Sequence, residues 1–209
     1  MVGQGVLREC LLDPAVERVL SIVRAPTGRS EPKLRELVHK DFFDFSPIKN
    51  GLAGYDACFF CLGVSSAGMK EPDYRRVTYD ITLAAARALA PLNPGMTFIY
   101  VSGMGTDSSE EGRSMWARVK GKTENDLLRL PFKAAYMFRP GAIVPLHGAK
   151  SKTNFVQALY TVLGPVLPMM YKAFPRYVTT TEQVGRAMLA VAKQGATKSV
   201  LENLDINKI

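Results

Sequence analysis

Residues 56–66 read "DACFFCLGVSS". From Ala57 to Leu62 the run is apolar at every position, bounded by Asp56 and Gly63. A strand with one face in water alternates apolar and polar residues. An unbroken apolar run of strand length is buried on both faces, which is the pattern of a parallel sheet covered by helices. Cys58 and Cys61 form a C-x-x-C within it. Side chains three apart on a strand point to opposite faces, so the two thiols are read as small buried apolar groups rather than a metal or redox pair.

The same pattern recurs on either side. "RVLSIV" (18–23), "LVHKDF" (37–42), "TFIYVS" (97–102) and "AAYMFR" (134–139) are β-branched or aromatic and end at Gly, Pro, Asp or Ser. Longer helical patterns separate them, predicting helices over 3–12, 72–90, 113–130 and 181–193. Pro72 suits a first turn, and Pro91 and Pro131 stand just beyond helix ends. Thr180 with Gln183 three residues on is a capping-box pattern, and Gly195 suits the following C-terminus. Strand and helix in alternation predict one α/β domain over 1–209, a doubly wound parallel sheet of Rossmann type, with an apolar insertion at about 145–176.

Lys and Arg number 27 against 19 Asp and Glu, for a net charge of +8. The bases are scattered, with neither a basic run nor interleaved aromatics, so nucleic acid is not an expected partner. A basic surface of this kind draws in polyphosphate ligands. Three cysteines, an odd number, with no secretory leader ahead of them point to a reducing, cytoplasmic setting.

"MVGQGVL", "SIVRAP", "KDFFDF", "FFCLGVSS", "IYVSGMGTD", "WARVKGKTE" and "FRPGAIVP" follow one another in an order that resembles the atypical short-chain dehydrogenase/reductase family. The likeness is to its NAD(P)H-binding, epimerase-like branch that includes the Tat-interacting protein oxidoreductase, and it runs from residue 1 to about 205. In that family the first βα turn reads G-x-x-G-x-x-G, so that backbone meets the pyrophosphate at a helix N-terminus. Gly3 resembles the last of these glycines, and Gly5 follows it. The preceding strand, roughly ten residues with part of its turn, has no counterpart. The expectation is a sheet lacking its first, central strand, as from a start at an internal Met.

The resemblance implies further assignments. Arg24, with Arg29 behind it and no acid over 21–30, suits the 2′-phosphate of NADP rather than the ribose hydroxyl of NAD. Asp41 and Phe42 resemble the pair flanking the adenine. Leu62, Gly63 and Val64 resemble the turn beneath the adenosine ribose. Arg139 and Pro140 resemble the turn leading to the substrate side. Ser102 matches the catalytic serine, and Lys120 the lysine that binds the nicotinamide ribose and lowers the pKa of a neighbouring tyrosine. No metal ligand set is implied.

Trp116 stands where that tyrosine would be, four residues before Lys120. An indole N–H only donates and cannot release its proton to an alkoxide, and general acid catalysis is worth roughly 10²–10⁴-fold. Tyr79, Ser102 and Thr106 are candidate stand-ins. "KGKTE" is not a phosphate loop, because Trp116 occupies the position of that motif's first glycine.

The expected functions are therefore ordered. The first is an NADP-dependent oxidoreductase or epimerase-like enzyme acting on a small carbonyl or alcohol with an altered site. The second is a weakly catalytic NADPH-binding regulator. The third is a membrane-surface or partner-binding adaptor using residues 150–176, where "FVQALYTVLGPVLPMMY" (155–171) is uncharged and flanked by bases. That stretch is read as an apolar helical lid over the substrate pocket. A homodimer contact there is a further option.

Overall fold

All strand pairs described here run parallel. The computed structural model describes residues 1–149 and 174–209. In chain order the elements are α1 (Val2–Leu12), β1 (Val19–Val23), β2 (Leu34–Val38), β3 (Ala57–Phe60), α2 (Glu71–Arg75), a π-turn (Arg76–Asp80), α3 (Ile81–Leu89), β4 (Thr97–Val101), α4 (Met115–Leu128), β5 (Ala134–Arg139), β6 (Ala142–Val144), β7 (Val178–Thr180), α5 (Thr181–Gln194), β8 (Val200–Glu202) and α6 (Asn203–Lys208).

Hydrogen bonding divides the strands into three sheets: β1–β2, β3–β4–β5–β8, and the short pair β6–β7. The first two are halves of one layer. Val19 of β1 packs in the same hydrophobic cluster as Phe59 and Cys61, under α1 and α5 through Val6, Val184 and Met188. Leu20 and Ile22 point the other way, into the cluster of Cys58, Phe60, Leu83 and Phe98 beneath α3. Alternate residues of β1 and β3 therefore share both apolar layers, while no ladder joins the two strands. At the start of both, the Arg18 guanidinium donates to Gly54 O at 2.5 Å and lies 4.9 Å from the Tyr55 ring. This is a doubly wound α/β layer of Rossmann type, and among the described residues no strand lies between β1 and β3.

Several boundaries differ from expectation. The second strand covers Leu34–Val38, not 37–42. His39 ends it by bonding Asp44 O through Nε2 at 2.8 Å, and the Asp41 carboxylate accepts from Phe43 N at 2.9 Å, which curls the chain into a turn. The helix expected over 72–90 is interrupted by the π-turn before α3. Thr180 caps α5 by accepting from Gln183 N at 2.9 Å, but the Gln183 side chain donates to Ile206 O at 2.8 Å instead of completing a box. The apolar stretch 155–171 lies outside the described residues. No helix among the described residues is long and apolar enough to cross a membrane.

α1 lies against α5 at very close range. A Cβ on Gly5 would stand 2.5 Å from Thr181 O, and one on Gly185 would stand 2.7 Å from Glu9 Cγ. Glycine at both positions is what lets the two helices share one side of the sheet. Gly5→Ala is therefore expected to force α1 outward and to destabilise the fold by about 1–3 kcal/mol, the usual range for overpacking. A denaturant melt reads this as a lower midpoint; an unchanged midpoint contradicts the packing.

Candidate cofactor and active site

Parallel strands carry their ligand-facing loops at one edge, beyond their C-terminal ends. Arg24 follows β1, Asp41 and Phe42 follow β2, Leu62–Val64 follow β3, Ser102 follows β4, and Pro140 follows β5. The candidate residues thus come from loops on a single rim.

On α4, Trp116, Lys120 and Glu124 recur every four residues and share a face. Lys120 Nζ donates to Ser102 O at 2.7 Å and lies 5.6 Å from the Tyr100 ring. Burial pulls its ammonium down to about 8, with Glu124 opposing the shift. Glu124 is 1% exposed. Its Oε1 accepts from Ser102 Oγ at 2.5 Å, and its two oxygens take Arg139 Nε at 3.1 and 3.2 Å and Nη2 at 2.5 Å. Arg139 extends the network to Glu202 on β8 at 3.2 Å and to Ser108 Oγ at 2.5 Å. Ser102 carries one hydroxyl hydrogen, and both acceptors near it, Glu124 and Phe138 O at 3.1 Å, lie on the protein side. Arg139 is architectural: its fork holds α4 to the sheet.

The half-buried ring of Trp116 covers Gly105, with Cη2 3.5 Å from where a Cβ would stand. The loop beneath is tied down by Asp107, whose carboxylate accepts from Ser109 Oγ at 2.6 Å and Gly112 N at 2.7 Å. A Cβ on Gly121 would stand 1.7 Å from Asp107 O, so only glycine lets α4 seat on this loop. Two stand-ins for the missing acid have their hydrogens committed: Tyr79 donates to Asp126 Oδ2 at 2.6 Å, and Thr106 to Gly103 O at 2.7 Å. Asp126 also pairs with Lys122 at 3.1 Å, and positions 122 and 126 face away from Lys120.

Among the residues expected near the adenosine, Arg24 is exposed, and Arg29 reaches a cavity of about 100 Å³ bordered by Gln4, Gly5, Arg8 and His147. Asp41 shapes the turn described above, and the Phe42 ring packs 5.8 Å from His39 and 5.9 Å from Phe45. Leu62 and Val64 are 36% and 48% exposed, apolar groups presented on the rim. Gly3 and Gly5 lie near the start of α1, within the helix expected over 3–12. A Cβ on Gly3 would meet Cys61 Cβ at 3.3 Å, so this glycine serves close helix–strand approach. Burial pushes the thiols of Cys58 and Cys61 up to about 12, and all three cysteines are free. No cluster of metal-ligating side chains occurs among the described residues.

Glu124, Ser108 and Gly121 were not singled out from the sequence. For Glu124 a signal existed: a carboxylate four residues after Lys120, on the same helix face.

No protein-family model matches the chain. "Protein FMP52, mitochondrial" of Candida albicans is 26% identical over 149 residues, 69% of this chain and 63% of that protein, so the chain spans under two thirds of this relative. The Debaryomyces hansenii protein of the same name is 24% identical over 202 residues, 95% of this chain and 86% of its own length. Among solved structures, a UDP-N-acetylglucosamine 4-epimerase from Methanobrevibacter ruminantium superposes with TM-score 0.67 at 12% identity, over 96% of this chain and 71% of that one. A short chain dehydrogenase from Burkholderia cenocepacia in complex with NADP gives TM-score 0.62 at 15% identity, over 95% and 82%. WbmF from Bordetella bronchiseptica in complex with NAD+ gives 0.61 at 15%, over 99% and 73%. The chain thus has the Rossmann-type fold of the short-chain dehydrogenase/reductase and epimerase enzymes, as the motif order implied. The cytoplasmic expectation is corrected: the relatives carry mitochondrial names.

Two outcomes are expected from this geometry. In NMR the Lys120 ammonium titrates near 8, and a midpoint at the ordinary 10.5 contradicts its burial. Because the folded state releases this proton before the unfolded chain does, its contribution to stability rises with pH between about 8 and 10.5. Glu124→Ala, which strands Arg139, is expected to cost about 3–5 kcal/mol, whereas Glu124→Leu combined with Arg139→Met recovers most of it. Equal losses in the single and double variants contradict a buried pair.

Proposed function

We propose that the chain binds NADP(H) along this rim and acts as an oxidoreductase or epimerase-like protein on a small carbonyl or alcohol, with an altered proton-transfer site. The observation that carries the reading is Lys120, held by Ser102 O at the end of β4 and charge-balanced by Glu124. The residues present suit a dinucleotide on both flanks. Arg24 and Arg29 offer guanidinium groups for a 2′-phosphate, Leu62 and Val64 an apolar rim, and Lys120 a donor for a ribose hydroxyl. A nicotinamide bound there supplies hydride chemistry. Lys120 orients the ribose and, near its pKa of about 8, holds a proton that it gives up at neutral pH more readily than an ordinary lysine. Trp116 donates a hydrogen bond without releasing a proton.

A second reading is favoured by Trp116 and by Ser102, whose hydroxyl faces Glu124: a protein that holds NADPH with little turnover and passes occupancy to a partner. An adaptor role for 150–176 rests on a segment of which 150–173 lie outside the described residues. The mitochondrial names of the relatives support a mitochondrial setting for this chain as well.

NADPH titration by cofactor fluorescence is expected to saturate in the micromolar range, with Arg24→Ala weakening NADPH about tenfold more than NADH, the size of one charge-assisted contact. Absence of binding defeats both cofactor readings. Trp116→Tyr is expected to raise single-turnover NADPH oxidation across a carbonyl panel by a factor within roughly 10²–10⁴. An unchanged rate shows that the site does not lack that acid.

A further inference from the structure

The loop between β4 and α4 carries Asp107, Ser108, Ser109, Glu110 and Glu111 in succession, with Ser108, Ser109 and Glu111 exposed. Its two serines differ in what they face. Ser109 Oγ donates to Asp107 Oδ1 at 2.6 Å. Ser108 Oγ accepts from Arg139 Nη2 at 2.5 Å, so a surface serine rests on an arginine side chain that is only 11% exposed. The loop is held in that pose. Asn125 Nδ2 donates to Ser108 O at 3.0 Å and to Glu110 Oε1 at 2.8 Å, and the bare backbone of Gly121 lets Ser108 N approach α4.

The arms of Arg139 are unequally committed. Nε and Nη2 reach the buried Glu124, while Nη1 reaches Glu202 at 3.2 Å, a carboxylate whose side chain is 47% exposed. An exposed carboxylate holds its partner weakly, so Nη1 is the arm most easily redirected. A phosphate on Ser108 stands beside Nη2 and brings nearly two negative charges on three acceptor oxygens, a match for the guanidinium fork. The same group on Ser109 stands against the Asp107 carboxylate. The sequence separates the two serines as well: Glu111 lies three residues after Ser108, and Gly112 three after Ser109. A kinase with a basic substrate groove selects a serine by the carboxylates that follow it.

We propose that Ser108 is a phosphorylation site and that Arg139 receives its phosphate. A protein kinase that favours acids after the serine moves the γ-phosphoryl group of a nucleoside triphosphate to Ser108 Oγ. The new O–P bond forms as the bond from the γ-phosphorus to the β,γ-bridging oxygen breaks. The nucleoside diphosphate leaves, and the hydroxyl proton passes to the kinase's carboxylate base. Nη1 then leaves Glu202 and Nη2 is shared, so Glu124 keeps Nε and the Ser102 hydroxyl but loses part of its counter-charge. Lys120 feels two effects of one sign, because a less neutralised Glu124 and a nearby phosphate both favour the ammonium. Modification therefore makes Lys120 hold its proton more firmly. The inference rests on the contacts of Arg139 and stands whether or not a cofactor binds.

The test treats the 209-residue chain with casein kinase II and magnesium ATP and reads the modified positions by tandem mass spectrometry. Phosphate is expected on Ser108, retained there in Ser109→Ala and lost from the loop in Ser108→Ala. Chains with phosphoserine encoded in place of Ser108 or of Ser109 are then titrated by phosphorus NMR. On Ser108 the second phosphate pKa is expected about one unit below its ordinary value of about 6, the effect of a cation in contact. On Ser109, beside Asp107, it is expected above that value. In NMR of the lysine side chains, the Lys120 midpoint is expected to rise from about 8, and to rise more with phosphate on Ser108 than on Ser109. No phosphate on Ser108, a second pKa there at or above the ordinary value, or a Lys120 midpoint that does not rise overturns the proposal. Failure of NADPH to bind defeats the cofactor readings and leaves all three measurements standing.

Discussion

Glu124 sets the terms for the half of the molecule built on β3, β4, β5 and β8. A carboxylate 1% exposed pays several kcal/mol for leaving water, and only close, well-directed donors offset it. Arg139 brings a fork from β5 and Ser102 brings a hydroxyl from the end of β4. The remaining arms of Arg139 reach β8 and the loop after β4. One buried charge therefore fixes α4 against two strands, a loop and the sheet's far edge. Lys120 follows from that placement: the helix register that buries Glu124 puts the ammonium one turn earlier, on the Ser102 carbonyl just beyond β4.

The two sides of the layer are consequently unequal. The β3–β4–β5–β8 sheet has Phe98, Ile99, Met137 and Phe138 fully buried in its central strands. The β1–β2 pair is less buried: all five residues of β1 are half-buried and Val38 at the end of β2 is 47% exposed. Local stability follows buried apolar contact and paired backbone, so the rim beyond β4 and β5 stands on the firmer sheet and the rim beyond β1 and β2 on the weaker.

How much was legible depended on where the determining contacts lie. The strands at 57–60, 97–101 and 134–139 were readable because burial on both faces leaves an unbroken apolar run. The strand at 34–38 was hidden: Arg35 and Glu36 interrupt its apolar pattern, while Phe42 and Phe43 just beyond it belong to a turn built by Asp41. Trp116 and Lys120 could be placed on one face from helical spacing alone. Gly121 could not be explained that way, because the atom it must avoid, Asp107 O, belongs to a distant loop position. Gly5 was legible as a glycine but not in its role, since its close neighbour Thr181 lies far along the chain. The compartment was misread for a different reason. Free cysteines report how well thiols are shielded, and these have pKa values raised by burial, a condition compatible with more than one compartment.

The chemistry left to the rim follows from counting protons. The indole of Trp116 has no acidic proton to give near neutral pH. The hydroxyl hydrogens of Tyr79, Thr106 and Ser102 are committed to Asp126, Gly103 O and Glu124. Glu124, ringed by donors, is an acceptor in this arrangement. Lys120 remains, and burial has moved its titration to about 8, within reach of physiological pH. In the proposed reading, a site with Trp116 in place of a tyrosine still has a group able to exchange a proton, because Lys120 can do so itself. The same ammonium also binds a ribose hydroxyl in the proposed pose, and a single group serving both tasks carries out each less well than two groups would. The two proposed functions, a slow reductase and an occupancy sensor, would therefore differ in how often Lys120 releases its proton while a cofactor is held.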